Sequence, residues 1–132
     1  MKKVVHTSGT RKRAVARATV KEGKGIIRVN RFLVSNYFHG LYLDKVMEPI
    51  LLIGDLIKKV NVYVNVRGGG VNAQADAVRL AIARAFVEYF KGDVKDKFLG
   101  YDRMLLVADT RYTEKSKPNR SKPRAKRQTS YR

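Results

Sequence analysis

Cysteine is absent from the 132 residues, which removes disulfide scaffolds, thiolate zinc sites and cysteine nucleophiles together and suits a reducing compartment. Acid is scarce: 11 Asp plus Glu stand against 29 Lys plus Arg, for a formal net charge of +18. No apolar run approaches the roughly 20 residues of a membrane-spanning helix. Met1-Lys2-Lys3 is followed by no signal-like apolar stretch, so the expectation is a soluble cytosolic chain. With 44% apolar residues, the chain has material for one real core at the usual length of one domain, ~100–150 residues.

The basic excess sits at the two ends. Residues 1–21 hold seven Lys or Arg and no acid, and residues 110–132 hold nine with Glu114 as the single acid, whereas the stretch between has 13 basic and 10 acidic residues. Two concentrated basic ends on a near-neutral body point to a polyanion, with nucleic acid the leading partner. A run of three or four lysines would be read as a solvated face. Nine basic residues in so short a tail ask for more.

Residues 12–20 alternate, with Ala14, Ala16, Ala18 and Val20 on one face and Arg13, Val15, Arg17 and Thr19 on the other. With the glycine-containing turn at 22–25 and the run 26–30, this reads as a β-hairpin. Lys3 to Thr7 offers a further strand. Asp44 to Lys58 has mostly helical spacing interrupted by Pro49 and Gly54, which predicts one or two short helices. Val60, Val62, Val64 and Val66 alternate strictly with polar partners and Tyr63, a half-buried strand expected to pair with the first hairpin. Gly68-Gly69-Gly70 ends it. Residues 71–91 continue without Gly or Pro and predict a long helix with Val71, Ala75, Val78, Ile82, Ala85, Phe86 and Tyr89 as the apolar stripe and Leu80, Val87 and Phe90 opposite. Leu105-Leu106-Val107 reads as a short strand or an anchor. The expected division is a globular α/β body, 1–109, and a basic tail, 110–132. The tail carries Ser-Lys-Pro twice and has little to bury against an ordering cost of ~1–2 kcal/mol per residue, so it is expected to order only against RNA.

One stretch carries an enzyme-like signal. Gly68-x-Gly70-x-x-Ala73 follows a strand and opens a helix, and Glu88 lies 20 residues after Gly68, which together meet the loose dinucleotide fingerprint of a nucleotide-binding enzyme. In such a unit the acid ends the next parallel strand. Here it falls within the same predicted helix, so a tight packing turn, or a phosphate contact at a helix start, is the better reading. His6 and His39 have no companions at metal-ligand spacing, and no serine has a nucleophile elbow. No catalytic residue, metal or cofactor is expected. A polybasic membrane-surface protein would need an anchor that is missing here. The cluster Arg11, Lys12, Arg13 and Arg17 suits RNA, because guanidinium groups bind phosphates bidentately and stack on exposed bases. A charged edge strand that resists aggregation is its plainer reading.

Three stretches resemble the small-subunit ribosomal protein nine family, in an archaeal or eukaryote-like form. They are residues 8–17 (SGTRKRAVAR), residues 68–86 (GGGVNAQADAVRLAIARAF) and the ending Gln128-Thr129-Ser130-Tyr131-Arg132. The resemblance covers essentially the whole chain. It implies an α+β two-layer sandwich like the second domain of small-subunit ribosomal protein five, with a left-handed βαβ crossover. It further implies a place in the small-subunit head on ribosomal RNA of the three-prime major domain, beside neighbouring head proteins, with no membrane or small-molecule substrate. Expected ribosomal RNA contacts are Arg11, Lys12, Arg13, Arg17, Arg67, Gly68, Gly69, Gly70, Arg111, Lys115, Lys117, Arg120, Lys122, Arg124 and Lys126. The family tail approaches peptidyl-site transfer RNA, which assigns that role to Arg127, Gln128, Ser130, Tyr131 and Arg132. The family commonly ends Ser-Lys-Arg, and Tyr131 departs from that pattern.

Overall fold

Strict alternation in β2 (Ala14–Glu22) and β5 (Val60–Arg67) produces the two central strands of a five-stranded mixed sheet of order β1-β2-β5-β3-β4. The computed structural model describes residues 3–118, 123–125 and 130–131. β1 (Val4–Arg11) and β2 form an antiparallel hairpin in which Arg11 faces Ala14, with Lys12 at a positive φ of 51° in the turn. β2 and β5 are antiparallel, with Val15 opposite Arg67 and Glu22 opposite Val60. β3 (Ile27–Val29) runs parallel to β5 and antiparallel to the two-residue β4 (Phe32–Leu33).

The predicted hairpin between 12–20 and 26–30 is therefore incorrect. β5 lies between its two arms, and the backbone donors of the connecting turn go to the start of that distant strand and the residue before it: Gly23 N to Lys59 O at 3.0 Å and Gly25 N to Val60 O at 2.8 Å. The Asn61 side chain holds the same turn by accepting from Lys24 N at 2.8 Å and Ile26 N at 3.1 Å. Beyond β3, the Asn30 side chain continues the pairing by accepting from Val66 N and donating to Val66 O, each at 2.9 Å.

The parallel strands β3 and β5 are joined through β4, α1 (Val34–Tyr37), α2 (Leu41–Ile53) and a 3-10 turn over Gly54–Lys59. α2 starts earlier than the periodicity suggests and runs through Pro49, ending at Gly54, whose φ is 58°. The long helix α3 (Val71–Phe90) packs against β1, β2 and β5 and against α2. Its buried residues include Ala75, Ala77, Val78, Ala81, Ile82, Ala83, Ala85 and Phe86, all 0% exposed, whereas Val71 at the start of the expected stripe is 53% exposed. Small side chains bring the backbones together: Gly9 in β1 lies directly beneath the helix, and a Cβ there would sit 2.5 Å from Ala77 O and 2.7 Å from Ala81 N. α4 (Val94–Tyr101) and a 3-10 turn over Arg103–Leu105 follow, with Phe98 and Leu105 fully buried. Leu105 is thus an anchor, not a strand.

Helices cover one face of the sheet. Ala14, Ala16, Ala18, Val20, Val60, Val62, Val64 and Val66 line the core on that side, and among the described residues the opposite face is open. Residues 110–116 carry neither helix nor strand, and Lys117–Pro118 (β6) pairs briefly with Arg124–Ala125 (β7).

Candidate nucleic-acid interface

Because strand side chains alternate, the residues opposite the valine and alanine core must share the open face. Register places them in rows. His6, Thr19, Tyr63, Arg28 and Leu33 form one row, Ser8, Arg17 and Asn65 a second, Thr10, Val15 and Arg67 a third, and Val4, Lys21 and Asn61 a fourth. Arg17, Lys21, Arg28 and Arg67 are exposed, and these rows contain no carboxylate. His6 Nδ1 lies 3.0 Å from Thr19 Oγ1, and Lys21 Nζ stands 5.8 Å from the Tyr63 ring centroid.

Two clefts adjoin the end of this face. One of about 350 Å³ is lined by Arg13, Val15, Arg17, Asn65, Arg67 and Gly68. The other, about 340 Å³, lies beside the α3 N-terminus among Lys12, Arg13, Gly69, Gly70, Tyr112 and Thr113. The glycine turn explains why they separate there. At Gly68, with φ of 80°, an added Cβ would meet Arg13 O at 2.5 Å, so this glycine admits the backbone of the β1–β2 turn. Space above Gly70 is open to 4 Å. The close approach that a dinucleotide site would need is thus taken at Gly68 by protein, and Glu88 lies inside α3 with no intervening strand.

Not every expected RNA contact is on the open face. Arg11 turns inward, its side chain 16% exposed: it donates to Arg111 O at 2.7 Å and stands 3.6 Å from Asp109 and 4.0 Å from Asp76. Lys45 shares Asp76 at 3.2 Å. Arg111 grips Asp109 through Nε and Nη2, at 3.0 and 2.7 Å to its two oxygens, while keeping most of its surface exposed. These bonds hold the Asp109 carboxyl well below the usual carboxylate range and raise the Arg111 guanidinium. Arg84 bridges the chain after α4 to β1, donating to Leu106 O at 3.1 Å and Ser8 O at 3.0 Å. Arg79 pairs with Glu48 and, at 3.1 Å, with Asp102. The tail therefore leaves the body from a fixed point beside β1. Lys115 and Lys117 are exposed beyond it, as are Ser130 and Tyr131; Lys117 lies 3.6 Å from Glu114. Arg124 is in β7. Arg120, Lys122, Lys126, Arg127, Gln128 and Arg132 lie outside the described residues.

The basic motif and glycine turn single out Arg13, Arg17 and Arg67 in the sequence, and His6 reads there as structural or RNA-facing; Lys21, Arg28, Tyr63 and Asn65 join them on one surface only through the strand register. The outward parity of Lys21, Tyr63 and Asn65 was readable from alternation; their neighbours across strands were not. Among the described residues, no cluster of His, Asp or Glu is arranged to hold a metal ion, and no helix is long and apolar enough to cross a membrane.

The chain matches the family described as Ribosomal protein S9/S16 over residues 9–132. Proteins named small ribosomal subunit protein uS9 are similar to it: two from strains of Methanococcus maripaludis are 50% and 49% identical, and one from Methanococcus vannielii is 47% identical. Each alignment covers 98% of this chain and 99% of the relative.

Proposed function

Because the chain belongs to the Ribosomal protein S9/S16 family, we propose that its open sheet face, N-terminal cluster and basic tail bind ribosomal RNA of the three-prime major domain in the small-subunit head. The protein is a structural component of the small ribosomal subunit, in the cytoplasm, and not an enzyme. The observation that carries the RNA reading is the row structure of the sheet: Arg17, Lys21, Arg28 and Arg67 point to one side with no acid among them. Such a surface attracts phosphates over its whole width, and guanidinium forks add bidentate contacts. Arg11 acts differently in this reading, fastening the base of the tail to the body.

From residue 110 the chain can extend ~70 Å at about 3.3 Å per residue, so a body seated on ribosomal RNA reaches a distant site. We assign Arg127, Gln128, Ser130, Tyr131 and Arg132 at the tip to the peptidyl-site transfer RNA. Arg132 there contacts backbone phosphate independently of the anticodon, positioning without decoding. Residues 110–132 order against RNA in this account, residues 1–109 fold as the body, and the connection between β3 and β5 takes the left-handed path found in the second domain of small-subunit ribosomal protein five.

The test is the salt dependence of binding to a small-subunit ribosomal RNA fragment. Neutralising roughly ten phosphates gives a slope of log K against log salt near −7 to −9. Truncation after Asp109 should flatten it markedly, and an unchanged slope would remove the tail from RNA binding. Deleting Tyr131 and Arg132 should speed transfer RNA loss from purified subunits to a similar degree for different anticodons. Equal dissociation rates with and without the two residues would refute the direct contact.

A further inference from the structure

Tyr63 stands apart on the open face. Its strand neighbours Asn61, Asn65 and Arg67 are polar, its partner across β2 is Thr19 and across β3 is Arg28, yet the residue is 39% exposed. Among the described residues it is the one phenol or phenyl ring in the rows of that face, with the smaller His6 imidazole two strands away in the same row. Lys21 Nζ lies over the ring at 5.8 Å, and Arg17 and Arg28 belong to the adjoining positions.

An aromatic plane surrounded by cations on an open sheet offers two distinct contacts. The ring accepts the flat face of a nucleobase, and the cations accept the phosphates that flank it. A duplex can use only the second, because its bases are stacked within the helix. An unpaired stretch can use both. A bare phosphate-binding surface would gain nothing from a half-exposed ring among its cations, and a core role is excluded because Tyr63 points away from the helices.

We propose that Tyr63 is a stacking platform for an unpaired nucleobase, with Lys21, Arg17 and Arg28 holding its flanking phosphates, so that the open face selects a loop or bulge of RNA over a continuous duplex. The proposal rests on the reading that this face binds RNA and specifies the class of RNA it takes.

The experiment uses the full chain with two probes: a hairpin RNA carrying 2-aminopurine in its unpaired loop, and a fully paired duplex of equal charge. Wild type should prefer the loop probe by at least about fivefold and quench its fluorescence on binding. Tyr63→Leu should lose both the preference and the quenching while binding the duplex as before, whereas Tyr63→Phe should keep them. Lys21→Gln and Arg28→Gln should weaken both probes. Circular dichroism of each variant establishes that it is folded, and the retained duplex affinity of Tyr63→Leu is a second check. Wild-type affinity equal for the two probes, or loop binding by Tyr63→Leu equal to wild type, overturns the stacking role and leaves RNA binding by the face intact. If substituting Lys21, Arg17 and Arg28 together changed the affinity for neither probe, the RNA reading of the face would fail with it.

Discussion

Replacing Gly9 by Ala tests how closely the sheet and long helix are fitted. The new Cβ would lie 2.5 Å from Ala77 O, 2.7 Å from Ala81 N and 3.1 Å from Leu80 Cβ. The two nearest atoms are helix backbone and cannot rotate aside, so β1 and α3 must separate by roughly 1 Å to reach ordinary contact in a densely packed interior. That motion also stretches the Thr7 hydroxyl bond to Ala81 O, now 2.8 Å, and the Arg84 bond to Ser8 O, now 3.0 Å. Overpacking of this kind costs ~1–3 kcal/mol, and the backbone identity of the clashing atoms favours the upper part of that range. The assay is urea unfolding of the full chain, with Gly100→Ala as the control. Gly100 sits in α4 with nothing within 4 Å of its Cβ position, so there Ala should be neutral or stabilise by ~0.5–1 kcal/mol. Gly9→Ala within about 0.5 kcal/mol of wild type would refute the close fit.

Ile82 is 0% exposed within α3, and Ile82→Ala should destabilise the body by ~2–5 kcal/mol in the same unfolding assay; a loss below 1 kcal/mol would mean the helix core collapses around the gap. Asp102 is held below its ordinary carboxylate value of 3.8 by the Met104 backbone N–H and by Arg79, and Asp109 is lowered by Arg111. A group lowered in the folded state stabilises it above the unfolded value, so both contributions are present at neutral pH and fall away as pH drops below 3.8 through the folded values. Carboxyl titration by NMR should give midpoints below 3.8 for both, and a normal or raised midpoint at Asp109 would undo the assigned tail anchor.

The parts of the fold that were legible in the sequence are those whose periodicity is local. β2, β5 and α3 declare themselves because each alternates or repeats along its own length. Strand order does not: the turn at 22–25 looks like a hairpin until β5, nearly forty residues later in the chain, supplies the partners of its backbone. The small residues Ala77, Ala81 and Ala83 read in sequence as allowing close approach although they fall outside the apolar stripe, and they are fully buried, while Val71 within the stripe is half exposed. α4 escaped notice because only Val94 and Phe98 of its eight residues are buried.

For the site, charge was legible but its destination was not. Arg11 and Arg17 belong to the same basic motif, yet one is drawn inward by Asp76 and Asp109 and the other stands on the open face. The acids that decide this lie 65 and 98 residues from Arg11. Arg79 and Arg84 gave no sign in sequence of their structural bonds, and Tyr63 gained its meaning only from Lys21 and Arg28 on flanking strands.

Ultraviolet crosslinking of assembled small subunits, followed by mass spectrometric assignment of peptides and attached nucleotides, tests RNA binding by the open face and tail most directly. RNA should be joined to peptides containing Arg17, Tyr63 and Arg67 and to the segment beginning at Arg111, with the attached nucleotides in the three-prime major domain. Crosslinks confined to the helical face of α2 and α4, with the open sheet and tail unmodified, would contradict it.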